Sequence, residues 1–138
     1  KSDILFTHTP PDMSNSDLVV GNFPDMAVFK REMDGGIEGI GPAYENEEGA
    51  IKSHVGNKDV RNLIKRSKMK VVFCGHIHEG SGAAYLKNTL VINPGSKAAY
   101  RNKRKVTPFV LLTIDKDFSE AKFLLRSWKG KFKKVVPL

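Results

Sequence analysis

The chain has 138 residues, 40% of them hydrophobic and 28% charged, and 23 Lys and Arg against 15 Asp and Glu leave a net charge of +8. That length and apolar content suit one buried core, hence a single domain over residues 1–138. A lone cysteine, Cys74, excludes an intrachain disulfide framework, and no apolar run reaches the ~20 residues of a membrane-spanning helix, so a cytoplasmic setting with no membrane contact is the expectation.

The opening Lys1-Ser2-Asp3 has no methionine and enters a strand almost at once, the pattern expected of a chain cut from something longer or of one half of a two-chain enzyme. Ile4-Leu5-Phe6 reads as a buried strand that ends in His8, and Pro10 and Pro11 then forbid further strand or helix. Asp12 to Ser53 reads as a long loop region with five glycines between Gly35 and Gly49, suited to a lid or a substrate wall. Within it Met26, Phe29 and Met33 recur at near-helical spacing after Pro24, which predicts a short helix over Pro24 to Met33. Asp12, Asp17 and Asp25 would reach a nearby site from this region.

His54 precedes a helix cap, where a hydrogen-bonded imidazole fixing the turn is the expected role and support of a metal ligand the rarer one. Asn57 caps a helix predicted over Lys58 to Ser67, with Val60, Leu63 and Ile64 on one face and Lys65, Arg66 and Lys68 towards its C-terminal end. Val71 to Cys74 reads as a fully buried strand, and strand, helix, strand argues for a parallel crossover. Leu90-Val91-Ile92 is a further strand, closed by the tight turn Asn93-Pro94-Gly95-Ser96. Phe109 to Ile114 pairs with Ala121 to Trp128 across Asp115 to Ser119 as a hairpin. Two basic runs, Arg101 to Lys105 and Arg126 to Lys134, are interleaved with Tyr100, Trp128 and Phe132. They read as solvated loop and tail, the competing reading being a surface that grips the phosphate backbone of a nucleic acid.

The chemistry concentrates in Gly75-His76-Ile77-His78. In an extended chain, residues i and i+2 point the same way, so His76 and His78 can converge on a metal centre. With His8, three imidazoles stand at strand ends, and imidazole suits manganese, iron, zinc or nickel. Glu79 follows directly and would orient one ring through its second nitrogen, the competing role being an exposed loop carboxylate. Asn93 falls at a strand end, where open parallel sheets put ligands.

Thr7-His8-Thr9-Pro10-Pro11, Gly75-His76-Ile77-His78-Glu79-Gly80 and Asn88 to Ser96 together resemble the calcineurin-like metallophosphoesterases. The resemblance covers Asp3 to Pro11 and His54 to Trp128. It implies an α/β fold, the C-terminal half of a two-sheet sandwich flanked by helices. It also implies a pair of divalent cations, with His8 and His76 matching ligands of one and His78 a ligand of the other. The Asp-x-His, Gly-Asp-x-x-Asp and Gly-Asn-His segments that the family carries in its first half do not precede His8 in this chain. Gly21-Asn22-Phe23-Pro24-Asp25 imitates the last of these, but Phe23 replaces the histidine and the order is wrong, so the likeness is read as coincidence.

The implied reaction is hydrolysis of a phosphoester by a metal-bridging hydroxide, since two cations about 3.5 to 4 Å apart neutralise the phosphoryl oxygens and acidify a shared water. The bridging carboxylate would come from a preceding segment, a partner chain or another copy of this one. Two other readings stand beside it: an inactive scaffold of the same family that binds a protein partner, and a mononuclear zinc site built from the three histidines alone.

Overall fold

A computed structural model describes residues 3–32, 34–41, 44, 46–96, 107–127 and 130–138. In chain order the elements are β1 (Ile4–Phe6), β2 (Asp17–Gly21), β3 (Met26–Arg31), β4 (Ile37–Ile40), β5 (Ala50–His54), α1 (Lys58–Arg66), β6 (Val71–Phe73), β7 (Gly82–Leu86), β8 (Thr89–Asn93), β9 (Phe109–Ile114), β10 (Glu120–Ser127) and β11 (Gly130–Pro137). Among the described residues this is a sheet-rich α/β arrangement with one short helix.

The largest sheet has five strands in the order β1-β6-β8-β7-β2. Its β1, β6 and β8 run parallel, with Ile4 opposite Val71 and Val71 opposite Leu90, while β7 and β2 are antiparallel. Successive side chains of a strand face opposite ways, and here both faces are covered, which explains why β6 and β8 read as unbroken apolar runs. On one face Val71, Ala83, Leu90 and Ile92 share an apolar cluster with Ala121, Phe123, Leu125 and Val136 of the three-stranded sheet β11-β10-β9. On the other, Val72, Ala84 and Val91 pack with Met13 and with Ile64 of α1. The helix starts where expected, because the Asn57 side chain accepts from the amides of Asp59 and Val60 at 2.8 and 2.9 Å.

Three readings of the sequence are corrected here. The helix expected over Pro24 to Met33 is instead β3, the central strand of a small sheet ordered β4-β3-β5. Met26 and Phe29, three positions apart, lie on opposite faces of this strand, Ala27 and Val28 between them are buried, and Met33 lies outside the described residues. The long loop expected from Asp12 to Ser53 likewise holds four strands, β2 to β5. The segment from Arg126 to Lys134 is no tail: apart from Trp128 and Lys129, outside the described residues, it forms the end of β10 and most of β11. Cross-strand register sets Arg126 opposite Lys131 and Leu124 opposite Lys133. The other basic run, with Tyr100, also lies outside the described residues.

The β9–β10 turn is held by one carboxylate. Asp115 accepts from the amides of Ser119 and Glu120, both at 2.8 Å, and from the Ser119 hydroxyl at 2.7 Å, and these bonds, the hydroxyl first, lower its pKa. A carboxyl whose folded pKa lies below its unfolded value stabilises the native state above the unfolded pKa, and the contribution is lost as pH falls through the folded one. Asp115→Asn is therefore expected to weaken the protein at pH 7 and to flatten its stability profile below about pH 4, as read from urea unfolding at a series of pH values.

Candidate metal centre

The site sits where the parallel strands end. Past β1 the Thr7 amide donates to the Phe73 carbonyl at 2.9 Å, and past β6 the Gly75 amide donates to the His8 carbonyl at 3.1 Å. This pairing, continued beyond the strands, sets the two histidine segments side by side. His8 Nε2 and His76 Nδ1 are 3.1 Å apart, with ring centroids 4.9 Å apart and edge-to-face. Both residues are exposed. Two imidazole nitrogens about 2.0–2.1 Å from a shared cation and near a right angle to each other lie roughly 3 Å apart. The pair therefore fits two adjacent positions of one coordination sphere.

His78 reaches the same region by a different route from the one expected. The strand ends at Phe73, and His76 adopts φ 64°, in the left-handed region that few side chains enter. The Ile77 amide bonds to the Gly75 carbonyl at 2.7 Å, so the histidines stand on a tight turn and not on an extended chain. The shared direction of residues i and i+2 belongs to an extended chain and not to this turn. His78 lines, with His76, Thr9 and Pro10, a hollow of about 1120 Å³. Among the described residues no three His, Cys, Asp or Glu side chains gather into one cluster. The structure brings His8 and His76 together, and His78 shares a hollow with His76 without joining the pair.

Of the residues expected to support the ligands, Asn93 and Glu79 are buried and engaged with backbone, while His54 is half-buried. Asn93 is fully buried, and its Nδ2 donates to the carbonyls of Ile77 at 2.8 Å and Gly75 at 3.4 Å, on either side of His76, and to Pro24 at 2.9 Å. Its Oδ1 accepts from the Gly95 amide at 2.8 Å. A side chain on Gly95, at φ 81°, would press on Ser81 and on the carbonyl of His78. Asn93 is thus a positioning residue for the turn.

Glu79 is not the exposed loop carboxylate of the competing reading: it is 5% exposed and its Oε1 accepts from the Val28 amide at 3.0 Å, which ties the turn to β3. The Glu79 carbonyl accepts from the Asn22 side chain at 2.9 Å. His54 behaves as a turn-fixing histidine, with Nδ1 2.8 Å from Asp25 Oδ1 and its ring against Phe23.

None of the three nearby aspartates joins the histidine pair. Asp25 is fully buried, and besides His54 it accepts from the amides of Met13 at 2.9 Å and Gly56 at 3.2 Å. Asp12 accepts from the Ser14 amide at 2.9 Å, 3.9 Å from Arg61, and Ser14 lowers its pKa. Asp17 is exposed on β2. Cys74, one residue before the turn, is buried with its thiol towards the Ile92 carbonyl, and burial pushes its pKa up to about 12. A protonated thiol makes a poor metal ligand.

The family model described as the calcineurin-like phosphoesterase superfamily domain matches residues 11–117. The chain belongs to the calcineurin-like phosphoesterase superfamily. A phosphoesterase domain of this kind places the histidine-bearing turn in a family of metal-dependent chemistry. The chain is also 37% identical over 60 residues to the uncharacterized protein MJ1162 of Methanocaldococcus jannaschii, a match that covers 42% of this chain and 28% of that protein. No solved structure matches the chain significantly.

Sequence reasoning missed Asp25 as the partner of His54 and Asn22 as a support of the turn. The signal lies in Gly21 to Asp25, which by sequence is a chance likeness to a metal motif, and a buried aspartate announces itself only through its partners. Two outcomes test this account. Asn93→Ala should lower stability by roughly 2–4 kcal/mol in urea unfolding, because buried carbonyls lose their donor. Cys74 in the native protein should resist iodoacetamide at pH 8 and react on denaturation, as read by mass spectrometry.

Proposed function

We propose that this chain supplies the histidine-bearing part of a phosphoesterase site that works with two divalent transition metals, from manganese, iron, zinc or nickel. His8 and His76 would hold one cation and His78 would serve the other. The observation that carries the reading is the 3.1 Å approach of His8 Nε2 to His76 Nδ1, across neighbouring parallel strands, in a chain of this superfamily. Cations in such a site neutralise phosphoryl oxygens and make water a competent nucleophile at neutral pH.

The chain's own residues have narrower tasks. His8 and His76 offer two nitrogen donors from separate segments, and Asn93 fixes the backbone on both sides of His76, so little ordering remains when a cation binds. Glu79 and Asn22 keep the turn against the β2–β3 segment, beside the hollow in which the ester would lie. The remaining ligands, a bridging carboxylate among them, would come from a preceding segment or a partner chain. Support comes from β1, which ends the five-stranded sheet with Phe6 74% exposed and stacked on Phe73. An open edge of this kind accepts a further strand.

Full-length protein carrying this chain, purified with Mn²⁺, should bind two divalent cations per site and hydrolyse bis(p-nitrophenyl) phosphate. EDTA should abolish turnover and Mn²⁺ restore it. His76→Ala should cut kcat/KM on the order of 100-fold or more, with circular dichroism unchanged because the side chain is exposed. Full metal-dependent turnover in that variant would refute the ligand assignment, and absence of metal together with tight binding of a protein partner would favour a scaffold.

A further inference from the structure

The small sheet formed by β3, β4 and β5 presents an apolar face to the histidines. Ala27, Phe29 and Arg31 alternate along β3 and line the same hollow as His76 and His78. On β4, Ile40 pairs with Phe29 and Ile37 with Arg31, and both isoleucines line the hollow as well. Ile37 is 61% and Ile40 65% exposed, and Val55, just past β5, is 48% exposed in the same hollow. The Arg31 guanidinium lies 5.6 Å from the centre of the Phe29 ring, which gives this apolar wall one flat cation. Single exposed apolar side chains are ordinary, but several converging on one hollow beside candidate ligands mark a binding surface.

We infer that this wall is a subsite for the organic part of the phosphoester and that it selects a flat aromatic group, an aryl ring or a nucleobase, over a polyhydroxylated one. The inference rests on the phosphoester reading of the histidine site, because the phosphoryl group is what anchors the ligand at one end of the hollow. Two physical terms then act at the other end. Ile37, Ile40 and Val55 gain by losing water to an apolar surface, whereas a polyol would leave hydroxyls facing aliphatic carbon without partners. The Arg31 guanidinium, exposed and 5.6 Å from the Phe29 ring centre, would offer a flat cation to a further ring. Aryl and nucleobase ligands share this chemistry, and the arms of the test separate them.

The test compares ligands with the same phosphoryl head. Calorimetric dissociation constants of phenyl phosphate, adenosine 5′-monophosphate and glycerol 3-phosphate would be measured on full-length, Mn²⁺-loaded protein, with turnover of bis(p-nitrophenyl) phosphate followed in parallel. One or both aromatic ligands should bind about tenfold tighter than glycerol 3-phosphate, and which of them gains identifies the group. In the Ile37→Ser/Ile40→Ser double variant the gap should close through weaker aromatic binding, with the glycerol 3-phosphate constant unchanged. Both sites are exposed, so the variant should keep the wild-type melting temperature.

Equal affinities in the wild type, or a gap that survives the double substitution, would overturn the subsite. Turnover with no discrimination would remove the subsite and leave the hydrolase. Discrimination lost in the variant, without any turnover, would retain the subsite and remove the hydrolase.

Discussion

The carboxamide of Asn93 holds the candidate site together. It stands at the end of β8, fully buried, and spends its donors on carbonyls that flank His76 and on Pro24 of the facing segment, and its acceptor on Gly95. A tight turn carrying a residue at φ 64° is costly unless its surroundings over-determine it. Here the core strand supplies that constraint: β8 is pinned between β6 and β7, so the carboxamide it carries is a fixed reference for the loop. His76 can therefore be exposed while its backbone is held on both sides, the condition that a metal site or any rigid binding site requires.

A second set of buried polar contacts joins this turn to the part of the chain that precedes it by about fifty residues. Glu79 accepts from Val28 and Asn22 donates to the Glu79 carbonyl, while Asp25, on that preceding segment, gathers His54, Met13 and Gly56. Each of these groups would be expensive to bury alone, and each is partnered. The consequence is mechanical: the small β3–β5 sheet, which could otherwise swing as a flap, is hydrogen-bonded to the histidine turn through its central strand. The hollow between them has a defined shape because both walls share these bonds.

Charge and thiol chemistry follow the same division between a firm interior and an adaptable surface. Cys74 sits one residue before the histidine-bearing turn and is kept inert by burial, with its thiol pKa pushed up to about 12. The cations of Arg126, Lys131 and Lys133 are carried on strands of the three-stranded sheet, whose other face, through Phe123 and Leu125, closes the core. A basic stretch read as tail thus contributes structure through its alternate residues.

By itself the sequence determined the elements that local pattern encodes: the strands carrying Ile4 to Phe6, Val71 to Phe73 and Leu90 to Ile92, the Asn57-capped helix, the Phe109 to Ile114 hairpin, and the superfamily, through its strand-end histidines. Each has a strong signal, an unbroken apolar run, a capping side chain or a polar turn between apolar runs. It misread β3 because three spaced apolar residues satisfy a helical period as easily as a half-buried strand, and it missed β7 because Gly82, Ala83 and Ala84 have low strand propensity and are strand only by being packed between β2 and β8. Only the tertiary structure decided that His8 meets His76, that Asp25 belongs to His54, and that Glu79 turns inward to β3. Those are pairings between residues 29 to 68 positions apart, fixed by parallel strand register and by the need of buried polar groups for partners, and neither constraint is written in any local stretch of the chain.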